Sequence, residues 1–310
     1  MTTKVLSDRL DCAAGSVPTY YSSKGVLVAG VQAAAIVFVA CSPPPIPSTS
    51  GSTPPPTSGP RTLCATGRDD RRPPTYCQGV GDDRVELSGF HAVKHALRFG
   101  APGLEVWTDD RARVLALCDR LAPDITTRLE GVLTAVTRDD LAGLTDYRHP
   151  TRVLGRAERR HDRPADVAAS ERPFVHLHRP VDPGNVGAVI RVAAAVGAAG
   201  VSTTGFTQLW GPACVRGSAG LHYALPVLDG APGLVVPERP VVAFDPAGAP
   251  FHPGDVDPST ALVFGSERDG LDTAVLEQVD RVVRLPMQNG VSSLNLATAV
   301  AAAAYAMALS

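Results

Sequence analysis

The sequence predicts an α/β fold with a mostly parallel sheet, because short apolar segments alternate with helical or loop segments through its second half. From Pro173 onward, each apolar segment ends at a glycine, a proline or a polar loop. Strands that alternate with helices in this way form a parallel sheet covered on both faces. The predicted strands are residues 174–178, a strand that begins at Val201, and residues 241–244, 261–264 and 281–285.

Length and composition limit the classes of protein that this chain can belong to. At 310 residues it is long enough for about two domains, and its hydrophobic content of 44% is sufficient for a real core. The net charge of −2 and the pI near 6.4 lack the global basic signature of a small nucleic-acid-binding protein, so any RNA contact must use a local patch. The six cysteines are scattered without a C-x-x-C pair, which argues against a zinc site and a disulfide framework.

Residues 1–82 differ in composition from the rest of the chain. Residues 25–41 are an uncharged run that follows Lys4, Arg9 and Lys24, and they resemble a secretory or lipoprotein signal that ends at Cys41. The run is marginal for a membrane span, which needs about 18 apolar residues or more. Residues 42–81 are rich in proline, serine, threonine and charge, so we predict that they are disordered.

A second interpretation is that this extension is not part of the native product. No methionine lies between Met1 and Met287, so a translation start near Val80 or Val85 would need a different start codon. We favour this interpretation over export, because the remainder of the chain has the composition of a soluble cytoplasmic protein. A membrane contact is therefore not expected.

Residues 83–148 predict a small α/β domain. Apolar residues recur at helical spacing in residues 89–99 and 113–121, and residues 104–108 and 132–136 have the composition of strands. The sequence from Thr137 to Asp140 has the capping pattern of a further helix start. We place the end of this domain near Tyr147.

Residues 149–172 predict an arginine-rich linker. Between Arg152 and Arg172 there are six arginines and four acidic residues, with few apolar positions. This is the best local basic patch in the chain, and both a solvated linker and an RNA-contacting segment fit it.

The first segment whose residues could bind a ligand or act in catalysis runs from Asp182 to Arg191. Asn185 stands where it could cap a helix, and Arg191 lies one turn beyond Gly187 on the same helical face. Ala194 and Ala195 continue that face with small side chains. A bare surface beside a guanidinium would let a phosphate or ribose approach closely.

Two further segments follow strands at what should be the carboxyl edge of the sheet, where open α/β sheets bind ligands. The second segment contains Glu267, between glycines that indicate a shaped loop. The third, residues 285–295, enters an alanine-rich helix that we expect to be capped by Ser292 or Ser293. Ser293 and Asn295 would then lie at a helix N-terminus, which suits a polar ligand.

Other binding motifs receive no support. No G-x-G-x-x-G sequence follows a strand, so dinucleotide binding is not indicated. The pairs His176/His178 and His91/His95 each share a face, but neither has a third ligand nearby in sequence, so we interpret them as packing residues and predict no metal.

The three segments, in this order, resemble the motifs of the SpoU (TrmH) family of SPOUT-class RNA ribose 2′-O-methyltransferases. Asn185-Val-Gly-x-x-x-Arg191 resembles the first motif, Phe264-Gly-Ser-Glu267-x-x-Gly-Leu the second, and Leu285-Pro-Met with Ser293-Leu-Asn295 the third. The resemblance covers residues 173–310 well and residues 85–147 loosely, as a substrate-binding domain. One departure is Leu-Ala-Thr-Ala after Asn295, where relatives often have a valine-rich run.

The resemblance implies a C-terminal trefoil knot, a homodimer and S-adenosylmethionine as cofactor. It implies methylation of a ribose 2′-OH in tRNA or rRNA, and an Arg191 that serves a cofactor held by the other subunit. The implied catalytic residues are Asn185, Arg191, Glu267, Ser293 and Asn295. Backbone groups around Gly265, Leu285 and Leu294 would hold the cofactor.

The family's suggested base is an arginine, but a guanidinium scarcely loses its proton in a protein. We therefore expect Arg191 to bind the adjacent phosphate and polarise the 2′-OH, while that phosphate or a water accepts the proton. Asn185 and Ser293 would fix the ribose, Asn295 the loop, and Glu267 its polar neighbours. Two alternatives are a non-catalytic RNA-binding protein, which a cofactor-binding measurement would distinguish, and an exported lipoprotein with a degenerate domain.

Overall fold

The computed structural model describes residues 83–145, 149–206, 208–228 and 239–310. The predicted signal-like run and disordered tract lie outside these residues. Within the described ranges, no helix combines the length and the apolar character that a membrane crossing requires.

The first sheet has four strands in the order β1-β4-β2-β3. These are β1 (Arg84–Ser88), β2 (Glu105–Thr108), β3 (Leu133–Ala135) and β4 (Val153–Glu158). The strand β4 pairs antiparallel with both β1 and β2, whereas β2 and β3 are parallel. The predicted strands at residues 104–108 and 132–136 are confirmed.

The strand β4 corrects the predicted linker at residues 149–172, because its residues form an inner strand of the first sheet. Its small residues let a helix approach closely: a Cβ added to Gly155 would lie 3.0 Å from the side chain of Val93. Sequence patterning missed β4 because Arg156 and Glu158 interrupt its apolar character, while its partners lie far away in the chain.

Four helices accompany the first sheet: α1 (Phe90–Arg98), α2 (Arg111–Leu121), α3 (Thr126–Val132) and α4 (Arg138–Leu144). The helix α1 buries its apolar face, as predicted, and α4 begins where the capping pattern indicates. The hydroxyl of Thr137 accepts a hydrogen bond from the backbone N–H of Asp140 at 3.1 Å. A side-chain oxygen at this position satisfies one of the N–H groups that a helix start leaves free.

Several arginines of the predicted basic segment are bound within the protein. Arg152 forms ion pairs of 3.0 Å with both Asp109 and Asp110. Arg160 pairs with Asp162 and also donates to the carbonyl of Tyr223 at 2.9 Å. These pairings leave the segment a weaker RNA-contact candidate than its composition indicates.

The second sheet contains six strands in the order β10-β8-β9-β5-β6-β7, and all of its strand pairs are parallel. This confirms the predicted α/β fold with a mostly parallel sheet. The inner strands β5 and β9 are buried along their length and β6 along most of it, as expected when helices cover both faces, whereas β8 is exposed in its second half. The strands are β5 (Phe174–His178), β6 (Gly200–Thr204), β7 (Val227–Leu228), β8 (Val241–Pro250), β9 (Ala261–Phe264) and β10 (Arg281–Arg284).

Five described helices precede, connect or follow these strands: α5 (Ala165–Ala168), α6 (Pro183–Val196), α7 (Pro212–Ser218), α8 (Thr273–Leu276) and α9 (Leu296–Leu309). The helix α6 packs against both α7 and the alanine-rich α9. A Cβ added to Gly187 would lie 2.2 Å from the carbonyl oxygen of Cys214 and 2.8 Å from the Cα of Gly217. The expected bare surface at Gly187 is therefore wrong, because α7 covers it.

The two sheets meet through α1, α7 and the short 3₁₀ helix Leu221–Tyr223. A ring nitrogen of His95, Nδ1, lies 2.8 Å from the carbonyl oxygen of Ala219. The hydroxyl of Tyr223 donates to the carbonyl of Glu158 at 3.0 Å. A continuous cluster of buried apolar residues joins the two halves, so the first sheet is held in a fixed position beside α6.

The buried histidines hydrogen-bond to neighbouring polar groups. His176 lies between the hydroxyls of Ser202 and Thr204, at 2.7 and 3.0 Å, and burial lowers the pKa of His176 to about 4. His178 lies 3.0 Å from a carboxylate oxygen of Asp272. The described residues contain no group of three side chains suited to hold a metal ion.

Candidate active site

The candidate site lies at the carboxyl ends of β5, β9 and β10, where three loops meet. The first loop ends in α6, whose N-cap is Asp182: its carboxylate accepts from the backbone N–H of Asn185 at 2.7 Å. The prediction that Asn185 caps this helix is therefore wrong. Because Asp182 takes the capping role, the side chain of Asn185 is available for other partners.

Asn185 joins the three sequence motifs by hydrogen bonds. Its Nδ2 donates to Oε1 of Glu267 at 2.9 Å, and its Oδ1 accepts from Nδ2 of Asn295 at 3.0 Å. We call Asn185, Glu267 and Asn295 the Asn–Glu–Asn cluster. Glu267 and Asn295 lie 82 and 110 residues after Asn185 in the sequence, so only the folded chain brings the three together.

Glu267 is held as a carboxylate by its surroundings. Its Oε2 accepts from the backbone N–H of Val181 at 2.9 Å, and its Oε1 lies 3.4 Å from that of Asp182. Burial alone would raise the pKa of Glu267, but the hydrogen bonds from Asn185, Val181 and Asp182 outweigh it and keep that pKa below its ordinary value. Glu267 is thus a hydrogen-bond acceptor that orients its neighbours.

A tight turn presents Glu267 at this edge. Ser266 and Gly270 exchange two backbone hydrogen bonds of 3.0 and 3.2 Å. A Cβ added to Gly265 would lie 2.2 Å from the carbonyl carbon of Gly270, so only glycine fits this position. The shaped loop expected around Glu267 is present.

The third loop enters α9, and its cap is Asn295. The side-chain Oδ1 of Asn295 accepts from the backbone N–H of Thr298 at 3.3 Å. The predicted caps, Ser292 and Ser293, lie before the helix and are exposed. Serine and asparagine are comparably good caps, so their spacing alone could not identify the true one.

Arg191 and Ser293 stand apart from the Asn–Glu–Asn cluster. Arg191 lies six residues after Asn185, about 120° around the helix from it. It is exposed, and its charge acts on His91 and Lys94 of α1. Neither Arg191 nor Ser293 makes a hydrogen bond or ion pair with a described residue, so the structure joins three of the five predicted catalytic residues.

The residues expected to hold a cofactor have features that fit one. The turn at Gly265 has no room for a side chain, and in the third loop Leu294 is 43% exposed and Val291 is 49% exposed. Among described residues 286–294, Val291 N to Gln288 O is the one backbone hydrogen bond, so most peptide groups there are available. Apolar side chains beside free peptide groups suit an adenosine-like ligand with a flat body and a polar edge.

Sequence reasoning missed the amides of Val181 and Asp182 and the cap formed by Asp182. The signal for the cap was present, because Asp182 precedes Pro183 and proline is common at the first position of a helix. The two amides gave no signal, since any non-proline residue supplies a backbone N–H.

Comparison with known proteins agrees with this geometry. A model of the SpoU rRNA Methylase family matches residues 172–305. The 23S rRNA (guanosine(2553)-2′-O)-methyltransferase RlmP of Bacillus subtilis is 27% identical over 228 residues, which cover 71% of this chain and 86% of that protein. A 23S rRNA (guanosine-2′-O-)-methyltransferase RlmB of Burkholderia sp. is 30% identical over 231 residues, which cover 69% of this chain and 91% of that protein.

A solved structure extends the agreement to the fold. The SpoU methyltransferase AviRb from Streptomyces viridochromogenes, in complex with AdoMet, aligns with a TM-score of 0.59 at 25% identity, over 73% of this chain and 90% of that chain. The match thus extends over 90% of AviRb in structure and over 91% of a relative at 30% identity in sequence. The chain belongs to the SpoU rRNA methylase family.

Proposed function

We propose that this protein transfers a methyl group from S-adenosylmethionine to a ribose 2′-OH of an RNA. Ribosomal RNA is the favoured class, because the relatives are named for it, and tRNA is the alternative. The observation that supports the proposal most directly is the Asn–Glu–Asn cluster, which joins the three motifs at the carboxyl edge of a parallel sheet.

The bound cofactor would supply an electrophilic methyl group, and the protein has to align a ribose oxygen with it. Alignment of two reactants can supply a large part of the rate in such a displacement. Asn185 uses one N–H and one lone pair within the cluster, which leaves one of each for a ribose. We assign Asn185 and Ser293 to the ribose and Asn295 to the position of the third loop.

Glu267 is a poor candidate for the base. Three N–H groups already point at its carboxylate, and they hold its pKa below the ordinary value. A carboxylate with a low pKa has little tendency to take a proton from a hydroxyl group. We therefore assign Glu267 to orientation, and the proton to the adjacent phosphate or a water.

Arg191 is assigned to the RNA phosphate beside the reacting ribose. Its guanidinium carries several donors in a fixed geometry that matches a phosphate. Because Arg191 lies on a different side of α6 from Asn185, we propose that it serves the site of a second copy in a homodimer. The small side chains of α9 allow another backbone to pack closely there, and we propose that residues 285–295 thread a trefoil knot.

We propose that residues 83–148 bind the RNA substrate through α1. The side chains of His91, Lys94 and Arg98 recur along one side of this helix at helical spacing. Burial, followed by the charges of Arg98 and Arg191, lowers the pKa of Lys94, so Lys94 and Arg98 lie near Arg191. Arg98 is also paired with Asp124, and burial lowers the pKa of His91, so Lys94 and Arg191 supply most of the available charge. A surface of this kind attracts an RNA backbone by release of its counterions.

The proposal is tested by calorimetry with S-adenosylmethionine and by transfer of a radiolabelled methyl group to rRNA from cells that lack the gene. Ribose mapping of that rRNA would locate the nucleotide. Wild-type protein that binds no cofactor and transfers no methyl group would refute the proposed activity. The proposal also places the protein in the cytoplasm, and membrane-bound protein with lipid on Cys41 would contradict that placement.

The assignment of Arg191 predicts the behaviour of Arg191→Lys. Lysine keeps the charge but loses the planar donor geometry, so turnover should be nearly abolished while cofactor affinity remains largely intact. Arg113→Lys, at an exposed arginine of α2, serves as the matched control. Near-normal turnover of Arg191→Lys would refute the role given to Arg191.

A further inference from the structure

Arg179 adopts a backbone conformation that its side chain disfavours. It follows the last residue of β5 and has φ of +49°. Three non-glycine residues in the described ranges have positive φ: Arg152, Arg179 and Ala219. Such a conformation is costly for a residue with a Cβ, and it persists where the surrounding structure or the function requires it.

The other two residues each have a further polar group, besides the backbone N–H, that is bound within the protein. Arg152 forms ion pairs with Asp109 and Asp110, and the Asp109 side chain is only 5% exposed. Ala219 ends α7, and its carbonyl oxygen lies 2.8 Å from Nδ1 of His95. In contrast, the exposed guanidinium of Arg179 makes no hydrogen bond or ion pair with any described residue.

The position of Arg179 links it to the candidate site. Its backbone N–H donates to the carbonyl of Thr204 at 2.9 Å, which holds the turn against β6. Two residues later, the chain presents the N–H of Val181 to Glu267. The turn therefore directs the backbone toward the Asn–Glu–Asn cluster, and glycine could make this turn without strain.

The side chain of Arg179 passes close to Gly205, which follows β6 and has no side chain of its own. A Cβ added to Gly205 would lie 3.3 Å from the Cγ of Arg179, and Gly205 itself has φ of +70°. The charge of Arg179 acts on Asp272, whose carboxylate already contacts His178 at 3.0 Å. The guanidinium donors are thus available at the carboxyl edge of the sheet, where ligands of open α/β sheets bind.

We infer that Arg179 binds a phosphate of the RNA substrate next to the reacting ribose, on the same protomer as the Asn–Glu–Asn cluster. This inference rests on the proposed function. It gives the site a cation distinct from Arg191, which faces α1. A guanidinium without internal partners, kept at a strained position beside the cluster, is accounted for by a phosphate ligand.

The decisive variant is Arg179→Gly, which relieves the backbone strain and removes the charge. We expect its melting temperature to rise by about 2 °C, a small effect for a domain of this size. The KM for rRNA should rise about tenfold, since a charge-assisted hydrogen bond is lost. Cofactor affinity measured by calorimetry should stay within about twofold.

Salt dependence provides a readout that a merely structural role would not change. Wild-type protein and Arg179→Gly are titrated against the same rRNA from about 50 to 200 mM KCl. Loss of one phosphate contact should make the slope of log affinity against log salt less negative by about 0.7 to 0.9. Arg179→Lys should keep the wild-type slope, because its charge remains.

Arg152→Gly is the matched control, because it relieves the same backbone strain but breaks two ion pairs. We expect its melting temperature to fall, since the buried carboxylate of Asp109 loses its partner. Should Arg179→Gly fail to fold, Arg179→Asn removes the charge with a residue that tolerates positive φ.

An unchanged KM and salt slope in Arg179→Gly or Arg179→Asn, beside a wild-type protein that methylates RNA, would overturn the inference alone. Absence of methylation by the wild-type protein would instead contradict the proposed function.

Discussion

The two faces of α6 contrast in what they leave available. Asn185 and Gly187 are two residues apart, about 200° around the helix. Gly187 is buried, and a Cβ there would collide with α7. Asn185 is half-buried and links Glu267 to Asn295, with hydrogen-bonding capacity to spare. One face fixes the helix in place, and the other presents polar groups on that fixed support.

The contrast extends to the residues behind each face. Behind Gly187, His222 is fully buried, with its Nδ1 2.8 Å from the hydroxyl of Ser218 and its Nε2 2.8 Å from the carbonyl oxygen of Leu209. These groups satisfy one another within a span of fourteen residues, from Leu209 to His222. The Asn–Glu–Asn cluster instead joins distant segments at the surface. The difference teaches that the buried polar groups around His222 satisfy one another, whereas the exposed cluster retains hydrogen-bonding capacity, which we propose a substrate uses.

The largest expected effect is on activity at the exposed face. Asn185→Ala disconnects Glu267 from Asn295, so kcat/KM for RNA methylation should fall by about 100-fold or more, while the melting temperature changes little. Steady-state kinetics and thermal unfolding measure the two quantities. Gln278→Ala removes an exposed amide that donates to the carbonyl of Ala274 in the adjacent helix α8, and it serves as the control. If Asn185→Ala instead lowered the melting temperature strongly, so that its lost activity followed from unfolding, the contrast between the two faces would be wrong.

The next effect is on stability at the covered face. Gly187→Ala adds a methyl group where the nearest backbone atom is 2.2 Å away, so the free energy of unfolding should fall by about 1–3 kcal/mol. Denaturant titration measures this change. Gly143→Ala is the control, because an added Cβ there has no neighbour within 4 Å. If both variants unfold at the wild-type denaturant concentration, the close packing of α6 on α7 is wrong.

The smallest effect is the acid sensitivity of the buried histidines. Burial lowers the pKa of His176 and His222 to about 4, from an ordinary value near 6.5. The unfolded chain therefore binds protons first, so the stability present above about pH 6.5 is lost as the pH falls toward 4. At about pH 5.5 we expect a loss of roughly 1 kcal/mol for each histidine.

Denaturant titrations at several pH values measure the loss, and replacement of the exposed His252 by Asn should leave the profile unchanged. A free energy of unfolding that stays constant between about pH 6.5 and 5 would contradict the role given to the buried His176 and His222.

The sequence predicted those elements whose signal is local. The strands at residues 174–178 and 261–264 have the observed bounds, because buried parallel strands are continuous apolar runs. The strands β1 and β4 were missed, since their pairing is with each other across about seventy residues and their polar positions hide the alternation.

For the site, the residues of the Asn–Glu–Asn cluster were found through motif order rather than through geometry. The helix caps were misplaced because several suitable residues stand within a few positions of each start. The direction of Arg191 could not be read from spacing, because it depends on how α1 packs beside α6. The positive φ of Arg179 could not be predicted either, because glycine is the usual sequence signal for that conformation and this position is an arginine.

Three hydrogen bonds link Glu267 to Asn185, Asn185 to Asn295, and Asn295 to α9. In each of them, the group nearer Glu267 is the acceptor. The carboxylate of Glu267 only accepts, so the NH₂ of Asn185 must face it, and the oxygen of Asn185 then faces the NH₂ of Asn295. The oxygen of Asn295 is left for the first turn of α9. Neither side-chain amide can be rotated without bringing like groups together. Conversion of either asparagine to aspartate would therefore set two oxygens against each other and loosen the contact between three chain segments at once.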